Sequence, residues 1–383
     1  MTQEIYFDNS ATTRVDIEAA ELALKVMTED YGNPSSLHGK GMTAERMLKT
    51  ARRQLAAALN AEESEIIFTG SGTEADNLAI QGVAHAYKKR GKHIITSAVE
   101  HPAVLNTCKI LEQEGYEITV LPVDDKGRIS PRDLEKALRK DTVLVSLMLV
   151  NNEVGTIEPI REVAKILENC RPKPFFHVDA VQAFGKISIN PKQMGIDLLA
   201  ASGHKIHAPK GIGILYLKKG VRVLPLIGGG GQELGLRSGT ENMPAICAFG
   251  LAAEKAVRNL NENYEQVEKV RETFLKGLSD LADWRIHGAE NGLPHVLNIA
   301  FMGTKSEVLL HTLEEKGVYC SSGSACAAKK DALSPVLTAM GLERPEIEGS
   351  LRFSFSAGNT MAEAEAAAKI VKESVSELRR ILG

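Results

Sequence analysis

The sequence predicts an α/β protein: a large domain built on a mostly parallel sheet with helices on both faces, plus a smaller α+β domain. Three observations carry this. Short β-rich runs recur between residues 66 and 217, helix-period stretches alternate with them, and the pattern changes near residue 244 into a long charged helical stretch followed by isolated strands. A chain of 383 residues is long enough for two or three domains, or for one large α/β unit with an appendage.

In order, the strand candidates are Ile66 to Phe68, Ile94 to Thr96, Ile118 to Val123, Val143 to Val150, Phe175 to Val178, Asp197 to Ala201 and Ile212 to Leu217. They are apolar on both faces, as buried parallel strands are. Between them run helical stretches at Glu74 to Lys89, Pro102 to Gln113, Pro131 to Leu138 and Ile160 to Glu168. Ser130, Pro131 and Asp133 together make a helix start, with a hydroxyl at the cap, proline in the first turn and an acid near the positive end. Ala245 to Leu281 reads as a long helix bent near Asn259 to Asn261. After it come a strand (Val296 to Phe301), a helix (Ser306 to Glu315), a strand (Leu351 to Ser354) and an amphipathic helix (Met361 to Leu382). The expected division is a large domain over 15–255 and a small domain from 1–14 and 256–383.

Lys and Arg number 46 against 49 Asp and Glu, a formal charge of −3, so no general basic field attracts nucleic acid or an anionic membrane. Five cysteines without C-x-x-C spacing argue against a disulfide framework or a structural zinc site and for a reducing compartment. Met1 to Ala11 lacks an apolar leader core, and no window has the ~18 apolar residues of a membrane span. The expectation is a soluble, cytoplasmic protein.

Gly70-Ser71-Gly72-Thr73-Glu74 follows an apolar strand and opens an amphipathic helix, where free amides can cradle a phosphate. The bland alternative is an ordinary strand-to-helix turn capped by Thr73. Asp179 closes the strand Phe175 to Val178 and would face the crevice at the strand ends, able to hold a proton on a heterocyclic nitrogen, or else to cap a helix or form a salt bridge. Lys205, in Ser202-Gly203-His204-Lys205, again follows an apolar strand. A desolvated lysine there can form a Schiff base, while the ordinary alternative is a surface cation. A phosphate cradle, an acid for a ring nitrogen and a Schiff-base lysine are together what pyridoxal 5′-phosphate requires.

Asp8-Asn9-Ser10-Ala11-Thr12-Thr13, Asn33-Pro34-Ser35-Ser36, Gly72-Thr73-Glu74, Glu100-His101, Asn151-Asn152-Glu153, Asp179-Ala180-Val181-Gln182, Ser202-Gly203-His204-Lys205, Arg237-Ser238-Gly239-Thr240 and Ser321 to Cys326 stand in the order found in the NifS/IscS-type cysteine desulfurases, which the chain resembles over about residues 5 to 360. The resemblance implies the aspartate-aminotransferase fold (fold type I) and a homodimer with active sites near the subunit interface. It makes Lys205 the Schiff-base lysine and Asp179 the partner of the pyridine nitrogen. His101 would stack on the ring and help move protons, with Gln182 and Asn152 near the ring hydroxyl. Gly72, Thr73, Ser202 and His204 would contact the phosphate, joined by Thr240 from the other subunit. Arg352 would hold the substrate carboxylate with Asn33 and Asn152 nearby. His101 could instead merely pack, and Arg352 could pair with an acid such as Glu348.

Cys326 follows a small, polar, glycine-bearing segment, as an accessible reactive thiol does, whereas Cys108, Cys170 and Cys247 read as buried structural cysteines and Cys320 as the end of a strand. The implied reaction converts L-cysteine to L-alanine with a persulfide left on Cys326 for an acceptor protein in iron–sulfur assembly or tRNA thiolation, without direct nucleic-acid or membrane binding. Two departures stand out: Ala327 and Ala328 replace hydroxyl residues common in relatives, and Met361 to Leu382 ends at Gly383 without the tail that IscS-type enzymes use to dock a scaffold. The rival readings are a selenocysteine lyase, another pyridoxal-phosphate lyase or aminotransferase, and a catalytically idle scaffold of the same fold.

Overall fold

The computed structural model describes residues 4–322 and 333–382. Its strands are β1 (Ile5–Tyr6), β2 (Ile66–Thr69), β3 (His93–Ser97), β4 (Glu117–Leu121), β5 (Thr142–Met148), β6 (Phe175–Asp179), β7 (Leu198–Ser202), β8 (Gly213–Leu217), β9 (Trp284–His287), β10 (Val296–Phe301), β11 (Val318–Tyr319), β12 (Ser321–Ser322) and β13 (Ser350–Ser354). Seven of them form one sheet in the order β2-β8-β7-β6-β5-β3-β4. Strands β4, β3, β5, β6 and β7 run parallel, and β8 is antiparallel to both β7 and β2.

The sheet is covered on both faces, as the apolar runs imply. Along β7, Leu199 and Ala201 pack into a cluster with Leu55, Ile246 and Phe249, while Leu198 and Ala200 pack on the other face with Leu78, Ala79 and Val83. Strand β4 departs from expectation. It is the sheet edge and half-exposed, with Val120 48% accessible, because no strand among the described residues pairs beyond it.

A second apolar cluster gathers Ile5, Phe7, Phe274, Leu297, Ile299, Leu351, Phe353 and Val371, around a four-stranded sheet ordered β12-β13-β10-β9. The N-terminal strand β1 joins this part by pairing in parallel with β11, so both chain ends meet there. The long helical stretch is two helices, Met243–Arg258 and Leu260–Gly277, broken where Asn259 leaves helical geometry. Two further helices, Ile17–Thr28 and Gly39–Ala58, pack largely against Met243–Arg258 through small residues and were not signalled by periodicity. Ser130 sits at the start of helix Pro131–Ala137, but its side chain accepts no capping bond; proline and Asp133 alone mark the start. Among the described residues no helix is long and apolar enough to cross a membrane.

The four described cysteines are free. Cys108 and Cys247 are buried, and burial pushes both thiols up to about 12. Cys170 is only half-buried, contrary to expectation, because it lies just past helix Ile160–Glu168, where its thiol reaches the Ile166 carbonyl at 3.5 Å.

Candidate active site

Adjacent parallel strands β6 and β7 deliver their ends side by side, with Asp179 opposite Ala200 in the register. Asp179 is the last residue of β6, only 6% exposed, and its Oδ1 accepts from the Val181 amide at 2.8 Å. One turn on, Gln182 donates from Nε2 to the Ser10 carbonyl at 3.0 Å. Strand β7 ends at buried Ser202 and passes into a single 3₁₀ turn, Gly203–Lys205. The Lys205 ammonium donates to the carbonyls of Ser10 and Ala11, the latter at 2.9 Å. Thr13 ties down the same turn: its amide and its hydroxyl both donate to the His204 carbonyl at 2.9 Å. Lys205 is therefore a crevice residue held by the N-terminal segment, not a surface cation.

The phosphate-cradle segment folds as expected for an anion site. Strand β2 leads through Gly70 and Ser71 into helix Gly72–Ala86. The cap is Ser71, whose hydroxyl accepts from the Glu74 amide at 3.1 Å; Thr73 is exposed and is not the cap. Glu74 reaches back to accept from the Gly70 amide at 2.8 Å and pairs with Arg237 Nε at 2.9 Å. A Cβ at Gly72 would lie 2.6 Å from Val181 Cγ2 and 3.3 Å from Ser202 Cβ, so only glycine lets this helix start close against the ends of β6 and β7. His204 is pushed down to about 4 by burial and then by Lys205, and it contributes as a neutral imidazole 3.2 Å from the Thr12 hydroxyl.

His101 caps helix Pro102–Gln113, its Nδ1 accepting from the Ala103 amide at 3.1 Å. That leaves Nε2 to carry the proton of the neutral ring. Burial lowers its basicity, with Asp179 opposing and Lys205 reinforcing the shift. Burial likewise raises the Asp179 carboxyl, while the Val181 amide, His101 and Lys205 favour its anion. Two further buried carboxyls, Asp76 and Glu100, are raised well above the usual range by burial and by Asp179, and among the described residues neither has a Lys or Arg partner to offset it. Of the three, Asp179 is the one that Lys205 and His101 face. Asp76 lies 3.5 Å from His177 Nε2, and burial pushes that imidazole down to about 3. Sequence reasoning did not assign Asp76, Glu100 or His177, since nothing in their spacing signals a shared pocket.

At the other end of the crevice, Arg352 on β13 pairs with Asp8 at 2.8 Å and donates to the Asn152 carbonyl at 3.0 Å. Its Nε is buried and has no hydrogen-bond partner among the described residues. The acid expected as an alternative partner, Glu348, instead pairs with Arg344 at 2.6 Å. Among the described residues, no hydrogen bond or ion pair joins Asn33 or Thr240 to these groups. Both are exposed, and Asn33 Oδ1 accepts from the Ser35 amide at 2.9 Å. Cys326 lies outside the described residues; Ser321, five positions before it, stands opposite Arg352 in the β12 and β13 pairing.

A lysine and an acid on neighbouring strand ends, with a helix N-terminus, a buried serine hydroxyl and a neutral histidine beside them, fit pyridoxal 5′-phosphate: aldehyde, ring nitrogen and phosphate each meet a group of suitable charge. Fold and site together define a pyridoxal-phosphate enzyme. Residues 5–366 match the aminotransferase class-V model, and the chain belongs to that family. It is 45% identical to a protein named cysteine desulfurase IscS from Methanosarcina thermophila, over 98% of this chain and 93% of that protein. A solved NifS-like protein superposes with a TM-score of 0.93 at 40% identity, covering 98% of this chain and all of the other. A structure titled SspA in complex with cysteine superposes with a TM-score of 0.82 at 35% identity, covering 92% of this chain and 99% of that one.

Proposed function

We propose that the chain is a cysteine desulfurase, converting L-cysteine to L-alanine and leaving the sulfur as a persulfide on Cys326. The observation that carries this reading is the juxtaposition of Asp179 and Lys205 at adjacent strand ends, with Arg352 presenting a buried Nε that no described residue engages. Pyridoxal 5′-phosphate, when bound, draws electrons from the substrate α-carbon and labilises its bonds. Lys205 would hold the aldehyde and carry protons at Nζ. Asp179 would keep the ring nitrogen protonated, and His101 would stack on the ring. Gln182 and Asn152 would lie near the ring hydroxyl. Gly72, Thr73, Ser202 and His204, with the partner subunit's Thr240, would hold the phosphate.

Arg352, with Asn33 and Asn152, orients the substrate carboxylate, for which a planar fork is well shaped. The Cys326 thiolate then attacks the substrate sulfur. The S–S bond forms as the Cβ–S bond breaks, the electron pair of the broken bond stays with the carbon fragment, and protonation of that fragment gives alanine. An acceptor thiol collects the terminal sulfur. The working form in this reading is a cytoplasmic homodimer with the large domain over 15–255 and the small domain from 1–14 and 256–383, serving an iron–sulfur scaffold or a tRNA-thiolation enzyme.

The test is Cys326→Ala. The variant should keep its bound cofactor and visible absorbance while alanine formation from cysteine falls to background. Undiminished turnover would instead favour a selenocysteine lyase or another lyase without persulfide chemistry, and absence of bound cofactor on Lys205 in the purified wild type would favour an idle scaffold.

A further inference from the structure

Lys186 lies four residues past Gln182, is 8% exposed, and donates from Nζ to Gln182 Oε1 at 3.1 Å. Among the described residues no carboxylate stands within ion-pair distance of it. Its charged neighbours, Lys205 and Arg352, repel it, and His204, His207 and His295 lie near it as well. Burial and the two cations push its ammonium down to about 7. A buried cation without an acid partner is costly, and among the described residues its hydrogen bond to a side chain goes to Gln182.

That bond has a direction. Lys186 Nζ donates to the oxygen of the Gln182 amide, which leaves Nε2 on the side of the Ser10 carbonyl, where its second N–H remains for another acceptor. The Ser10 carbonyl also accepts from Lys205. Lys186, Gln182, Ser10 and Lys205 thus form one chain of hydrogen bonds. We infer that Lys186 is a positioning residue: it locks the amide of Gln182 so that a donor faces the ring hydroxyl oxygen of bound pyridoxal 5′-phosphate and an acceptor cannot rotate into its place. This rests on the reading of Gln182 as a ring-hydroxyl neighbour.

The experiment is a double-variant cycle on the purified holoenzyme, comprising Lys186→Met, Lys186→Arg, Gln182→Ala and the Lys186→Met/Gln182→Ala pair. It reads the dissociation constant of pyridoxal 5′-phosphate by equilibrium dialysis, the visible absorption maximum and the thermal midpoint. Expected are a roughly 10-fold weaker cofactor affinity and a displaced maximum in Lys186→Met, recovery of most of both in Lys186→Arg, and a double variant no worse than Gln182→Ala alone. Should methionine fail to fold at this site, Lys186→Gln carries the same comparison. Additive effects, or an unchanged constant and spectrum in Lys186→Met, would overturn the inference and leave Lys186 as a lysine at the edge of a cavity. If Gln182→Ala alone moves neither readout, the placement of Gln182 fails first and takes this inference with it.

Discussion

Asp8 and Arg352, 344 positions apart, form an ion pair at 2.8 Å in which the acid occupies one arm of the guanidinium and the Asn152 carbonyl the other. The side chains are only 20% and 10% exposed, and removing one partner leaves a mostly buried charge uncompensated. Asp8→Asn should therefore cost about 1–3 kcal/mol of stability, measured by urea unfolding. In the proposed reaction, Arg352→Lys should raise KM for L-cysteine roughly 10-fold or more while changing kcat less, since a point charge replaces a fork. Steady-state kinetics checks it.

Asp179→Asn replaces the carboxyl at the end of β6 with an amide. On the proposed role, kcat should fall by about 10²-fold or more, with cofactor still bound but its absorption spectrum altered. An unchanged rate with a normal spectrum would remove Asp179 from the chemistry.

Gly72→Ala puts a methyl 2.6 Å from Val181 Cγ2, which must shift to admit it. The expected outcome is a loss of about 1–3 kcal/mol and weaker cofactor retention, as the helix start is pushed away from Ser202. Thermal melts with and without added pyridoxal 5′-phosphate separate the two effects.

Glu158 is buried, accepts from the Ile129 amide at 3.0 Å and is pushed up to about 7 by burial. Because its folded value lies above the usual 4.5, its contribution is intact in acid and is lost as pH rises through about 7. Glu158→Gln does not titrate, so its stability relative to wild type should improve by roughly 2 kcal/mol between pH 5 and pH 8. Urea titrations at the two pH values test the sign; a difference that shrinks as pH rises would refute it.

The parallel strands were legible because burial on both faces writes an unbroken apolar run, as in β5 and β7. Asp179 and Lys205 were legible because each follows such a run. Helix Gly39–Ala58 was not, since its buried face is mostly alanine (Ala44, Ala51, Ala56, Ala58) and small residues give little contrast with a polar face. The Asp8 and Arg352 pair was hidden for another reason: the sequence places Glu348 four residues from Arg352, and only the return of the N-terminal strand to the C-terminal sheet offers a better acid. The contact of Asp76 with His177 joins a helix to a strand about a hundred residues on, beyond any local period.

The tie between residues 10–13 and the Lys205 turn also orders events during synthesis. Lys205, Asp179 and the sheet that carries them emerge from the ribosome while β1 still lacks β11, and while Asn9 still lacks the Ser354 carbonyl that it bonds at 2.9 Å. Residues 5–9 thus meet their final partners only once residues 318–354 have been made, although they precede every strand of the crevice in the chain.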